Sequence, residues 1–242
     1  MGICAKSVDE LVSAVDGLVS DGAGHIKLCA TGGMMTEGTD PFSAQFSVEQ
    51  MLAVRERADH HGMTVSAHAH GTEGIRNCVK AGIHSIEHCS FLGPEGLDFD
   101  EAVLDELVEK DLFIGATISQ FCYDPSFRQP GTLKYMELMS GILRLAYCKG
   151  AKVCLHTDSW GYRNSFGGYG SMLKCAVEDF HIPVEQVLRS ATIVPADLLS
   201  ISHPVFKEGE RATFVILDGD PFDDASSFEK VVVFYAEGKR LV

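Results

Sequence analysis

Basic residues are scarce in this sequence. Twenty Lys and Arg stand against 34 Asp and Glu, leaving a net charge of −14. Nucleic-acid affinity is built from clustered Lys and Arg, so that class of partner is not expected. A polybasic membrane-surface protein is excluded on the same ground. Long apolar runs are missing too, with nothing approaching the ~18–20 residues of a spanning helix. Met1–Glu10 has no basic flank followed by an apolar core, so it does not read as a secretory leader. Asn occurs only at Asn77 and Asn164, and neither opens a glycosylation sequon. None of the 8 Cys form a CxxC pair, and several sit inside apolar runs. That usage suits a reducing compartment, with Cys as a small core residue. A cytoplasmic protein is expected, with a small-molecule substrate rather than a nucleic acid or a membrane as its partner.

What is present is an alternation of helical and strand patterns. At 242 residues the chain is long enough for one large domain, or one plus a small appendage. In Val8–Asp21 the apolar residues Leu11, Val12, Val15, Leu18 and Val19 form a helical stripe. Ser47 and Gln50 form a capping box that opens a second helix ending near Gly62. Thr72–Ala81 stops at Gly82, and Leu133–Lys149 stops at Gly150. Further helices are expected at Asp100–Lys110, Ser171–Phe180, Pro183–Ser190 and Pro195–Ser200. Between them lie five strand-like runs: His25–Thr31, Met63–His68, Ile83–His88, Leu112–Ile118 and Ala151–His156. Strands alternating with such helices indicate βαβ units and a parallel sheet. After Arg211 the pattern turns β-rich, at Ala212–Leu217, Lys230–Tyr235 and Gly238–Val242.

The strands carry polar residues on one parity. His25, Lys27, Cys29 and Thr31 share a face opposite Ile26, Leu28 and Ala30. Thr64, Ser66, His68 and His70 oppose Val65, Ala67 and Ala69; Cys154, His156 and Asp158 oppose Leu155 and Thr157. An open parallel sheet covered on both sides is apolar on both. One polar face per strand fits a barrel whose mouth holds an active site. The expected fold is therefore α/β: a partial (β/α)8 TIM-type barrel of about five βα units over residues 1–205, then a small β-sheet over residues 206–242.

Lys27, His68, His70, His88, His156 and Asp158 stand near the ends of these strands, where imidazoles and carboxylates can converge on a divalent metal. A lysine in a tight, desolvated interior loses pKa, and its neutral amine can take up carbon dioxide as a carbamate. Taken singly, each residue has another reading. Lys27 reads as a snorkelling surface lysine, and His156 with Asp158 as a structural ion pair. Zinc is the default ion for such a set, with manganese, iron or nickel open.

Five stretches make the pattern specific: GHIKLCATGG at 24–33, VSAHAHGTEG at 65–74, AGIHSIEHC at 81–89, HTD at 156–158 and ATFVILDGD at 212–220. With these in this order the chain resembles the metal-dependent amidohydrolase superfamily, within it the imidazolonepropionase-like and prolidase-like branch, over nearly its whole length. The resemblance implies that Lys27 is a carboxylated bridging lysine and that His68 and His88 complete the more buried metal site. It implies that Asp158 binds a second metal and acts as general base, and that His70 contacts substrate. Arg163, in the loop after Asp158, is a candidate partner for a substrate carboxylate. The implied reaction is hydrolysis of an amide or peptide C–N bond in a dipeptide or N-acyl amino acid, by metal-activated water.

One departure stands out. The family carries an HxH pair on its first barrel strand, whereas the single HxH here, His68-Ala69-His70, matches a later strand. The expectation is an N-terminally truncated barrel, its open edges covered by a further copy of the chain or by a missing N-terminal segment. Two alternatives follow: a catalytically inactive remnant, or a one-metal deaminase of the same superfamily.

Overall fold

A computed structural model of the chain describes residues 2–34, 36–118, 130–159, 166–203 and 206–241. It divides into two compact units, one of Met1–Ala116 with Lys149–Val153 and one of Thr117–Cys148 with Cys154–Val242.

The first unit opens with helix α1 (Val8–Ser20). Ser7 caps it: its hydroxyl accepts the Glu10 N–H, while the Glu10 carboxylate accepts the Ser7 N–H. Strand β1 (Ile26–Cys29) follows, then α2 (Val48–His60), capped in the same reciprocal way by Ser47 and Gln50. Next come β2 (Val65–Gly71), α3 (Thr72–Ala81), β3 (Ser85–Gly93), the short β4 (Gly96–Leu97), α4 (Glu101–Glu109) and β5 (Phe113–Thr117). Helix α3 ends where Gly82 takes φ 69°, a left-handed C-terminal turn that glycine adopts without a Cβ penalty. The core is aliphatic. Met51, Ile75, Val79, Ile83, Ile86 and Leu104 are fully buried, each contributing roughly 1.5–3 kcal/mol of transfer free energy.

The second unit holds α5 (Pro130–Cys148), α6 (Tyr169–Glu178), α7 (Val184–Ala191) and α8 (Ile193–Leu198). Strand β6 (Lys152–His156) begins in the first unit and ends in this one. Strands β7 (Phe214–Leu217), β8 (Val231–Ala236) and β9 (Lys239–Arg240) form a small antiparallel sheet.

The main sheet runs in the order β1-β2-β3-β5-β6, with β4 antiparallel beside β3. β1–β2, β2–β3 and β3–β5 pair in parallel. The molecule is thus the α/β arrangement read from the sequence, a parallel sheet threaded by helices with a small antiparallel sheet after it.

Two expectations need correcting. Cysteine is not uniformly a core residue: Cys78, Cys89 and Cys154 are buried, but Cys4, Cys29 and Cys148 are exposed, and Cys175 is disulfide-bonded. Nor does Lys27 lie in a desolvated interior. Ile26 and Leu28 are buried on one face of β1, and Lys27 and Cys29 are exposed on the other.

Candidate metal centre

Strand alternation puts His68 and His70 on one face of β2. His88 reaches them by a different route. Ala69 is its register partner, so plain alternation would send the His88 ring away from its two counterparts. The end of β3 does not alternate plainly. His88, Cys89 and Phe91 take φ of 66°, 47° and 48°, and the pairing with β2 slips between Ala69 and Gly71. Left-handed backbone at non-glycine residues costs on the order of 1–3 kcal/mol each and gathers at functional sites. Here it accompanies the convergence of three imidazoles. The His68 and His88 ring centres are 4.5 Å apart, those of His70 and His88 4.5 Å, and those of His68 and His70 4.7 Å. One ring nitrogen from each lies within 4.8 Å of the other two.

The protonation of this cluster follows from its surroundings. The carbonyl of Gly32 can only accept, so the contact at 3.1 Å makes His68 Nε2 the donor. The loop that carries Gly32 is packed tightly, since a Cβ on Gly32 would lie 2.6 Å from the Asp40 backbone. The His70 N–H donates to Thr31 Oγ1 at 3.1 Å, and its ring Nδ1 lies 3.0 Å from Ser90 Oγ. Burial, reinforced by the neighbouring rings, holds His70 and His88 down to about 3. Both are therefore neutral at neutral pH, the form that ligates metal.

Sequence reasoning passed over several neighbours. Glu87 is buried and accepts a hydrogen bond from Ser85 Oγ at 2.6 Å. His25 contacts Thr64 Oγ1 and Ser66 Oγ, both at 2.8 Å. Burial lowers the His25 pKa, the Lys27 charge lowers it further, and Glu87 opposes both. Lys27 and Glu87 act on His88 in the same opposed senses. Glu87 had a signal: an acid between Ile86 and His88 in a strand-like run. Ser90 and Gly32 had none, because their roles depend on loop geometry.

The structure thus brings together His68, His70 and His88, with Lys27 within electrostatic reach on β1. Asp158 is exposed in the second unit, at φ 46° just beyond β6. Arg163 lies outside the described residues.

The donor set is chemically suited to a divalent ion. Neutral imidazoles are ordinary zinc ligands at about 2.0–2.1 Å, and His70 and His88 are in that form. The pattern of the Amidohydrolase family matches residues 1–108 and 131–240. This chain belongs to the Amidohydrolase family. Within that family it is 29% identical over 251 residues to an ochratoxinase of Aspergillus niger, a match covering 98% of this chain and 50% of that protein. Among solved structures it is similar to an Xaa-Pro dipeptidase with methionine bound in the active site, at TM-score 0.81 and 29% identity over 98% of this chain and 59% of that one. The crystal structure of Aspergillus niger ochratoxinase gives TM-score 0.78 at 27% identity, covering 98% of this chain and 55% of that one. The chain spans about half the length of the curated relatives it matches. Amidohydrolases generally use a divalent metal, and the imidazole cluster on β2 and β3 is a possible seat for one. Among the described residues, no helix of this amidohydrolase is long and apolar enough to cross a membrane.

Proposed function

We propose that this chain carries the metal centre of a hydrolase that cleaves amide or peptide C–N bonds, with a dipeptide of the Xaa-Pro kind or an N-acyl amino acid as substrate. The observation that carries the reading is the approach of His68, His70 and His88 ring nitrogens to within 4.8 Å. Zinc is the ion proposed. When bound, such an ion polarises a carbonyl and makes a water molecule acidic near neutral pH. The protein's own groups do the rest. His68 and His88 hold the ion, and His70, clustered beside them, contacts the substrate. Lys27, exposed on β1 and within electrostatic reach of His88, is the lysine that would take up carbon dioxide to supply a carbamate ligand. Asp158 takes the proton of the attacking water and passes it to the leaving nitrogen. Arg163 pairs with the substrate carboxylate. Among the described residues six cysteines are free, which supports a cytoplasmic setting, against the disulfide at Cys175.

A one-metal deaminase is the second reading. It is favoured by the exposure of Lys27, which leaves three imidazoles that converge without it.

Equilibrium dialysis of the purified chain against zinc, followed by elemental analysis, tests the centre. The expected result is at least one ion per chain, bound more than tenfold more weakly by His68→Ala and His88→Ala. Absence of zinc from the wild-type chain, or undiminished zinc in both variants, overturns the reading. Assaying Xaa-Pro dipeptides and N-acyl amino acids alongside aminated rings then separates the two reactions: amino-acid release supports the hydrolase, ammonia release the deaminase.

A further inference from the structure

We infer that Asp40 is a positioning residue for His68: its carboxylate builds the turn whose backbone holds Gly32, and the Gly32 carbonyl holds the His68 ring. The inference rests on the metal reading above, in which His68 is a ligand. Each link is a hydrogen bond within the first unit. The Asp40 carboxylate accepts the Ser43 hydroxyl and, at 2.9 Å, the Phe42 N–H. Those two bonds close a turn over Asp40-Pro41-Phe42. They also keep the carboxyl below the usual carboxylate range, Ser43 more than Phe42, so it is charged and accepting at neutral pH. With Asp40 so placed, its own carbonyl accepts the Gly32 N–H at 2.9 Å. Gly32 in turn accepts the His68 Nε2–H at 3.1 Å. Packing leaves this backbone little room. A Cβ on Gly32 would lie 2.6 Å from the Asp40 backbone, and one on Gly33 would lie 3.8 Å from His68 Nε2. Thr39 ties the loop across, its Oγ1 accepting the Gly33 N–H at 3.2 Å and donating to the Thr36 carbonyl at 2.8 Å. The turn reaches β2 a second time, because the Phe42 carbonyl packs against Gly71, the residue after His70. Asp40 therefore braces both ends of the His68–Gly71 stretch from outside the imidazole cluster. Outer partners of a ligating histidine typically contribute tenfold to a hundredfold in metal affinity. Asp40 acts through one intervening residue, which places it at the lower end of that range.

The test has two readouts, neither of them turnover. In the metal-free chain, proton–nitrogen spectra follow exchange of the His68 Nε2 proton with water. That exchange is expected to be at least tenfold faster in Asp40→Ala. The Ile83 amide, bonded to the Cys78 carbonyl at 3.0 Å in the same unit, is expected to keep its wild-type rate. Zinc titration against a competing chelator is expected to show Kd weakened roughly tenfold in Asp40→Ala. Asp40→Asn, which keeps an acceptor for the Phe42 N–H, is expected to stay within a few-fold of wild type. The control is Asp220→Ala. Asp220 opens the same Asp-Pro-Phe sequence in the second unit and accepts the Phe222 N–H at 2.9 Å, so its loss should leave both readouts unchanged. Wild-type zinc affinity in folded Asp40→Ala, an unchanged His68 proton, or equal acceleration at His68 and Ile83 overturns the Asp40 assignment while leaving the metal reading intact. A wild-type chain that takes up no zinc overturns the metal reading itself, and the exchange measurement still decides whether Asp40 holds His68. Should Asp40→Ala fail to fold, Ser43→Ala removes one of the two contacts of the carboxylate. It must shift both readouts in the same direction, and wild-type values in it overturn the assignment.

Discussion

His88 is the residue that alternation alone would have misplaced, and it gives the sharpest local test. Its φ of 66° is tolerated by Asn better than by most side chains. His88→Asn should therefore keep the fold by circular dichroism while weakening zinc binding at least tenfold. A second residue-scale prediction concerns Asp16. Hydrogen bonds from Arg57 and His61 hold its carboxyl at about 2, below the ordinary 3.8. A depressed carboxyl stabilises the fold above its unfolded pKa, and that contribution disappears as pH falls through the folded value. Asp16→Asn should therefore lower the urea midpoint at pH 6, and the difference from wild type should shrink as pH falls through about 2. The pairing of His68 with His70 was legible, because two residues apart on a strand means one face. The arrival of His88 was not, because nothing in the letters HCSF announces left-handed backbone. Lys27 was legible as a member of the polar face, yet the other side of that face, solvent or interior, depends on what packs against β1.

At the scale of elements, punctuation carried most of the information. Gly82 ended α3 where the sequence said it would, and Ser47 opened α2 through its capping box. Boundaries moved where the chemistry permits two outcomes. Helix α5 begins at Pro130 rather than Leu133, since proline is welcome in a first turn where its missing N–H has no partner to lose. β3 continues to Gly93, beyond the His88 at which its alternating pattern stops. The β2–α3 junction should be intolerant of change. A Cβ on Gly71 would run into the Phe42 carbonyl, which is backbone and cannot swing aside. Gly71→Ala should cost on the order of 1–3 kcal/mol, measured by urea unfolding, and loosen the strand that carries His68 and His70. Wild-type stability in that variant would mean that the Phe42 loop gives way more easily than its backbone packing implies.

For the molecule as a whole, binding at the imidazole cluster should appear as stability. A ligand at a hundred times its Kd contributes about 2.7 kcal/mol to the state that binds it. Zinc at that excess should raise the unfolding midpoint of the metal-free chain, a chelator should reverse the rise, and His68→Ala should abolish it. The layered α/β organisation was readable from the order of its elements, whereas the outer cradle of the histidines was not, since Gly32 and Ser90 act through loop and strand-end geometry. His68, His70 and His88 all come from β2 and β3, two strands joined through the single helix α3. Their meeting therefore requires only one short crossover to close, so its loop-closure entropy is small. Capture of an ion can accordingly accompany early folding, so refolding with metal present should proceed faster than refolding without it.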